Sequence, residues 1–131
     1  MVLNTKGLAG IVVVVLLAAS IGASGARQAP VPPVQRVDVL AERFSFTPSE
    51  IKTTVGTVLE IRLTSDDTSH GFRIVGTDVD IEIPKRNRGT ATVMFQPPAA
   101  GRYTFECSQL CGAGHAFMRG VIVVREATAS R

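Results

Sequence analysis

The sequence has little net charge and lacks motifs that would place it in several common functional classes. Its 14 Lys and Arg residues against 11 Asp and Glu residues give a charge of only +3, and nothing predicts a nucleic acid partner. The one basic cluster, Lys85–Arg88, lies between Pro84 and Gly89, which predicts a solvated turn. No C-x-x-C-H motif for haem attachment is present. We therefore expect no catalytic, oxygen-reducing centre in this chain itself.

Long helical periodicity and internal repeats are also absent after residue 36, and short strand patterns take their place. Leu59, Ile61 and Leu63 alternate with polar residues, and similar alternations occupy residues 91–95 and 103–107. The β-branched run at residues 121–124 predicts a buried final strand. Glycine and proline separate these segments at short intervals. The pattern predicts an all-β fold, a Greek-key sandwich or barrel.

The N-terminal part of the chain predicts a targeting or anchoring segment followed by a spacer. Residues 7–26 carry no charge, which is compatible with an N-terminal hydrophobic helix in the membrane, but the small residues at 20–26 also suit a cleaved signal peptide. Both interpretations place the rest of the chain outside the cytoplasm. We assign residues 1–27 to this anchor or signal, residues 28–36 to a Pro-rich linker, residues 37–126 to the folded domain and residues 127–131 to a tail.

Metal-binding residue types are few, and most of them are concentrated in one short segment. Both cysteines, Cys107 and Cys111, are followed closely by His115 and Met118, while His70 lies 37 positions before Cys107 at the end of a strand-like run. Thiolate, thioether and imidazole ligands together favour copper over structural zinc. A site with one copper needs a single cysteine, so the second cysteine indicates two coppers that share two sulfurs. A simple disulfide is the alternative in an oxidising compartment, but it leaves the spacing of His115 and Met118 unexplained.

These residues form the pattern C-x-x-x-C-x-x-x-H-x-x-M, with an upstream S-x-D-x-x-H run at residues 65–70. The pattern resembles the binuclear copper (CuA) domain of cytochrome c oxidase subunit II, which is also found in nitrous oxide reductase, and the resemblance covers residues 37–126. It implies a cupredoxin-like fold in which Cys107 and Cys111 bridge two copper ions. In such a site His70 and His115 would each bind one copper, and the weak axial ligands would be Met118 and the main-chain carbonyl of Gln109. The glutamine stands where many relatives have a glutamate that reaches an interface magnesium ion, so the resemblance does not decide whether that magnesium site is present here.

The resemblance also implies a function and partners. The domain would accept electrons from cytochrome c or a small cupredoxin and pass them to the haem of oxidase subunit I. It would be held to the membrane by the N-terminal segment, with the domain on the periplasmic or outer face. In relatives an aromatic segment helps to form the surface where electrons arrive; this chain has no tryptophan, and Phe44 or Phe46 could take that role. The alternatives are a periplasmic or secreted cupredoxin that binds or delivers copper, and a stand-alone electron carrier.

Overall fold

The computed structural model describes residues 28–128, which form strands and one short 3-10 helix at His115–Phe117. The strands are β1 (Val34–Glu42), β2 (Ser45–Thr47), β3 (Glu50–Thr54), β4 (Val58–Ser65), β5 (His70–Ile74), β6 (Asp80–Ile83), β7 (Ala91–Phe95), β8 (Gly101–Glu106) and β9 (Arg119–Arg125). The hydrophobic helix predicted within residues 1–27 lies outside the described residues, as does most of the predicted tail. Within residues 28–128, no helix is long and apolar enough to cross a membrane.

The strands pair into two sheets. The first has the order β2-β1-β4-β7, and the second has the order β3-β9-β8-β5-β6. Pairing is antiparallel except between β1 and β4 and between β3 and β9, which run parallel. Most neighbours in the sheets are not neighbours in the chain, and five connections of two to seven residues cross from one sheet to the other. The predicted all-β sandwich is confirmed.

The core lies between the two sheets and follows the alternation in the sequence. Leu59, Ile61 and Leu63 are fully buried on one face of β4, as predicted. From the other sheet, Phe72 and Phe105 pack against each other and against Phe46, with ring centroids 5.1 to 5.8 Å apart. Each such aromatic contact adds about 0.5–1.5 kcal/mol beyond the buried area. This apolar layer fixes the ends of the strands from which the loops with the predicted ligands leave.

Two details differ from the sequence prediction. Strand β1 begins at Val34, so residues 34–36, assigned to the linker, pair with residues 58–60 of β4. The final strand is present as β9, but its burial alternates: Ile122 and Val124 are buried, whereas the valines at 121 and 123 are only half-buried. A β-branched run therefore does not require a strand covered on both faces, because one face of β9 remains partly open.

Two loops meet at one end of the five-stranded sheet. Residues 66–69 join β4 to β5, and residues 107–118 join β8 to β9. Strands β8 and β9 are paired out to Glu106 and Arg119, and the Cys107 amide donates to the Met118 carbonyl at 3.0 Å, so both ends of the longer loop are closed. Since β5 pairs with β8, His70 at the start of β5 lies beside this loop.

Candidate metal centre

The structure brings the six residues predicted as metal ligands together around the two cysteine sulfurs. The Sγ atoms of Cys107 and Cys111 lie 3.8 Å apart. The Cys107 sulfur is 3.9 Å from Nδ1 of His70 and 3.1 Å from the main-chain oxygen of Gln109. The Cys111 sulfur is 3.7 Å from Nδ1 of His115 and 3.9 Å from Sδ of Met118. Each sulfur thus has one imidazole nitrogen and one weaker donor beside it.

Most of this cluster is shielded from solvent. His70 and Met118 are 0% and 1% exposed, and Cys107 and Cys111 are 4% and 6% exposed. One donor atom each from His70 and the two cysteines lies within 4.8 Å of the others. The imidazole of His115 is half-buried and marks the side on which the cluster approaches the surface. Buried donors held at this spacing suit a metal that must be kept away from water.

The two cysteines are free thiols. Their sulfur atoms are 3.8 Å apart, compared with about 2.05 Å in a disulfide. Burial raises the pKa of the Cys111 thiol to about 11, and the hydrogen bond and charge of Cys107 act in the same direction. In the metal-free protein this thiol is therefore protonated at neutral pH, so that binding of a metal ion must release its proton.

Asp67 orients the His70 ring. Its Oδ1 atom lies 2.7 Å from Nε2 of His70 and accepts a hydrogen bond from the Thr68 amide at 2.7 Å. Its Oδ2 atom accepts a hydrogen bond from the Arg43 amide at 2.9 Å. Burial acts to raise the pKa of Asp67, but the hydrogen bonds, first that from His70, lower it to about 2. Because the ionised carboxylate accepts a hydrogen bond from Nε2–H, the lone pair of Nδ1 faces the sulfur of Cys107.

The orienting role of Asp67 was not predicted from the sequence. The side chain of Asp66 pairs with Arg86 of the basic turn at 2.9 Å, so only Asp67 is directed to the imidazole. The available signal was the fixed spacing of Asp67 and His70 in the S-x-D-x-x-H run. A carboxylate three residues before a candidate histidine ligand is well placed to bind its second ring nitrogen.

Glycines allow the two loops to approach closely. A Cβ atom at Gly71 would lie 2.6 Å from the Gln109 nitrogen and 2.8 Å from the Ser108 nitrogen, so the cysteine loop rests directly on the β5 backbone. Gly112 has φ +140°, and a Cβ there would lie 3.0 Å from the Phe44 ring. The Phe44 ring therefore packs on the glycine-containing segment 112–114.

The donor set fits copper. Two thiols, two imidazoles, a thioether and a carbonyl form a soft, mixed set. The side-chain amide of Gln109 bonds to Ser69 at 3.3 Å, and its main-chain carbonyl oxygen remains beside the Cys107 sulfur.

Around the cluster, Leu110 and Phe117 are each 81% exposed. A shallow cavity of about 260 Å³ opens between this loop and the Arg73–Glu106 ion pair, and His115 and Met118 form part of its lining.

The chain resembles known proteins in both sequence and fold. The family model of the cupredoxin-like domain matches residues 9–124. Over 90 residues, 69% of its length, the chain is 38% identical to cytochrome c oxidase subunit 2 of Thermus thermophilus, of which it spans 65%. It also resembles a chain of a haem-copper terminal oxidase dimer, with TM-score 0.58 and 33% identity over 70% of this chain and 65% of that one.

A further solved structure shows the same fold at lower identity. It is the periplasmic domain of subunit II of cytochrome oxidase (CoxB) of Bradyrhizobium japonicum, with TM-score 0.64 and 20% identity over 74% of this chain and 87% of that one. The resemblance to oxidase subunit II inferred from the cysteine motif is confirmed by the Thermus relatives. The chain spans less than two thirds of their length, 65% of one and 52% of another.

Proposed function

Because this chain belongs to the cupredoxin-like domain family, we propose that it is an electron-transfer domain that holds two copper ions between Cys107 and Cys111. The observation that carries the proposal is the paired arrangement of the donors. Each sulfur has its own imidazole, His70 beside Cys107 and His115 beside Cys111. The two sulfurs are close enough to bind the same two metal ions. A site for a single copper would use both imidazoles and Met118 with one of these thiols, and would leave the other thiol without a role.

The residues of the cluster would have different roles as copper ligands. Cys107 and Cys111 would hold both ions, His70 and His115 would each supply a nitrogen donor to one of them, and Met118 and the Gln109 carbonyl would be weaker donors. A bound pair of copper ions would supply a single electron shared over both metals. The chain keeps the donors in place during that change, because both cysteines, His70 and Met118 are packed into the core and cannot move freely. Little rearrangement between oxidation states favours fast transfer.

Similarity to oxidase subunit II supports a place for the domain in a respiratory complex. The domain would face the periplasm or the outer side of the membrane, receive electrons from cytochrome c or a small cupredoxin, and pass them to a haem-bearing subunit. Leu110 and Phe117 give the metal-binding end an apolar surface on which a redox partner could dock. Phe46 is buried in the core, so of the two candidate aromatic residues only Phe44 lies at this end.

Copper loading of the purified protein tests the proposal. We expect two copper ions per chain, a purple colour and a mixed-valence electron paramagnetic resonance signal. One copper ion per chain with a blue spectrum would contradict the binuclear site. A protein that takes up copper, does not react with reduced cytochrome c and transfers its copper to a metal-free oxidase would instead support the delivery function.

We expect the Met118→Leu substitution to change the reduction potential of the site and to leave the copper content at two ions. Met118 is buried, and leucine of similar volume should cost less than about 1.5 kcal/mol of stability. Loss of a weak donor and gain of an apolar group both disfavour the more positively charged oxidised state, so the potential should rise. The measurement is a redox titration followed by the visible spectrum.

The Met94→Leu variant is a matched control, since Met94 is 57% exposed on β7, outside the ligand cluster. It should match the native protein in both copper content and potential. If Met118→Leu lost copper as completely as a cysteine variant, the axial role assigned to the thioether would be wrong.

A further inference from the structure

Arg43 lies on neither of the ligand-bearing loops, yet it contacts both of them. It occupies the corner between β1 and β2, where its main-chain amide donates to Asp67 and its side-chain Nε donates to the carbonyl oxygen of Cys111, each at 2.9 Å. We propose that Arg43 is a positioning residue that fixes Cys111 relative to His70 and raises the reduction potential of the centre. This inference rests on the proposed copper function for its redox part.

The first contact leads to His70 through Asp67. The Asp67 carboxylate accepts from the Arg43 amide on one oxygen and lies 2.7 Å from Nε2 of His70 on the other. Because this contact uses the main chain of Arg43, it does not depend on the identity of the side chain. Substitutions at position 43 therefore act on the second contact and leave the orientation of His70 in place.

The second contact holds the part of the cysteine loop that has little other support. Ser108 and Gln109 at the start of the loop bond to Asp80 and Ser69, and its end is closed by the Cys107–Met118 backbone bond. In the part of the chain that the structure describes, the only side chain from outside the loop that hydrogen-bonds to residues 110–114 is that of Arg43. The Phe44 ring lies against Gly112 and Gly114 of the same segment. The β1–β2 corner therefore supports the loop between Cys111 and His115.

The guanidinium charge gives Arg43 a second effect. The guanidinium Nε lies 2.9 Å from the main-chain oxygen of Cys111, so the field of its positive charge acts on the sulfur of that residue. The same field favours the reduced state of a copper pair bound to that sulfur, because reduction adds one negative charge to the site. Removal of the positive charge should therefore lower the reduction potential.

Three variants separate the hydrogen bond from the charge. Arg43→Ala removes both, Arg43→Gln keeps an amide donor without the charge, and Arg43→Lys keeps the charge with a single donor group. The matched control is Arg36→Ala, an exposed arginine earlier on β1 whose side chain pairs with Glu60 at 2.8 Å, away from the ligand loops. Copper affinity is measured by competition with a copper(I) chelator, and the potential is measured by redox titration.

We expect Arg43→Ala to bind copper about 10-fold more weakly or worse, the range found for residues that support metal ligands. Arg43→Ala and Arg43→Gln should both show a lower potential than the native protein, and Arg43→Lys should remain closest to it. Hydrogen exchange of the amides of residues 110–114 in the metal-free protein should be faster in Arg43→Ala and unchanged in Arg36→Ala.

Equal affinity, potential and exchange in Arg43→Ala and Arg36→Ala would overturn the inference. If Arg43→Ala does not fold, the glutamine and lysine variants still decide the effect of the charge. A native protein that binds no copper would contradict the proposed function, whereas faster exchange of residues 110–114 in Arg43→Ala would still support the positioning role.

Discussion

Replacing Cys107 with serine should abolish binding of the copper pair and leave both sheets folded. The Cys107 sulfur lies 3.8 Å from the second sulfur, 3.9 Å from Nδ1 of His70 and 3.1 Å from the Gln109 carbonyl oxygen. A serine hydroxyl is a hard, neutral donor that cannot replace a bridging thiolate. Cys107→Ser should retain less than about a tenth of the native copper content after desalting, since loss of a bridging ligand exceeds the 10–100-fold cost of a supporting residue.

Metal analysis and the visible spectrum measure this loss, and the circular dichroism spectrum shows whether the fold is retained. Cys111→Ser should behave in the same way because each sulfur would contact both ions, and Met118→Leu serves as the control that keeps both copper ions. Two copper ions bound to Cys107→Ser with native colour would rule out a bridging role for this cysteine.

The second large effect is expected from Gly71→Ala, although Gly71 offers no ligand. The added Cβ would come within 2.6 Å of the Gln109 nitrogen, and main-chain atoms cannot move aside as a flexible side chain does. Overpacking of this kind costs about 1–3 kcal/mol. In a domain of this size, each kcal/mol lost from the free energy of unfolding lowers the melting temperature by roughly 4–8 °C. The cysteine loop should also be displaced from His70, with loss of most copper binding.

The control for this variant is Gly76→Ala in the turn between β5 and β6. Gly76 has φ +81° and open space around its Cα, so alanine should cost about 1–2 kcal/mol through backbone strain alone. The melting temperature should therefore fall in both variants. A copper titration should separate them, because only Gly76→Ala should keep the native copper affinity. Native copper affinity in Gly71→Ala would show that the loop does not depend on this close contact.

The parts of the molecule that could be predicted from the sequence are those encoded locally. The alternation of Leu59, Ile61 and Leu63 set the buried face of β4, and the spacing from Cys107 to Met118 indicated a clustered set of donors. In both cases the residues that matter are a few positions apart, and the periodicity of the strand or the length of the loop decides where their side chains meet.

The contacts made by the β1–β2 corner could not be predicted in this way. Arg43 and Cys111 are 68 residues apart, and nothing in the run Arg43–Thr47 indicates that its first residue supports a loop at the other end of the chain. The parallel pairing of β1 with β4 runs to Ser65 and places the β1–β2 corner beside the loop that holds Asp67. The pairing of β5 with β8 places the cysteine loop next to that same loop. Parallel pairing has no short turn to mark it in the sequence.

The separation of His70 from the cysteine segment has a consequence for the order in which the protein matures. In the unfolded chain the two cysteines, His115 and Met118 are adjacent, but His70 joins them only after β5 has docked on β8. Parallel pairs such as β1–β4 and β3–β9 join distant segments and form slowly. A metal ion that arrives early would therefore meet an incomplete set of donors, without the buried imidazole. The expected sequence of events is that the chain folds first with its thiols reduced, and that copper is inserted last into a finished site.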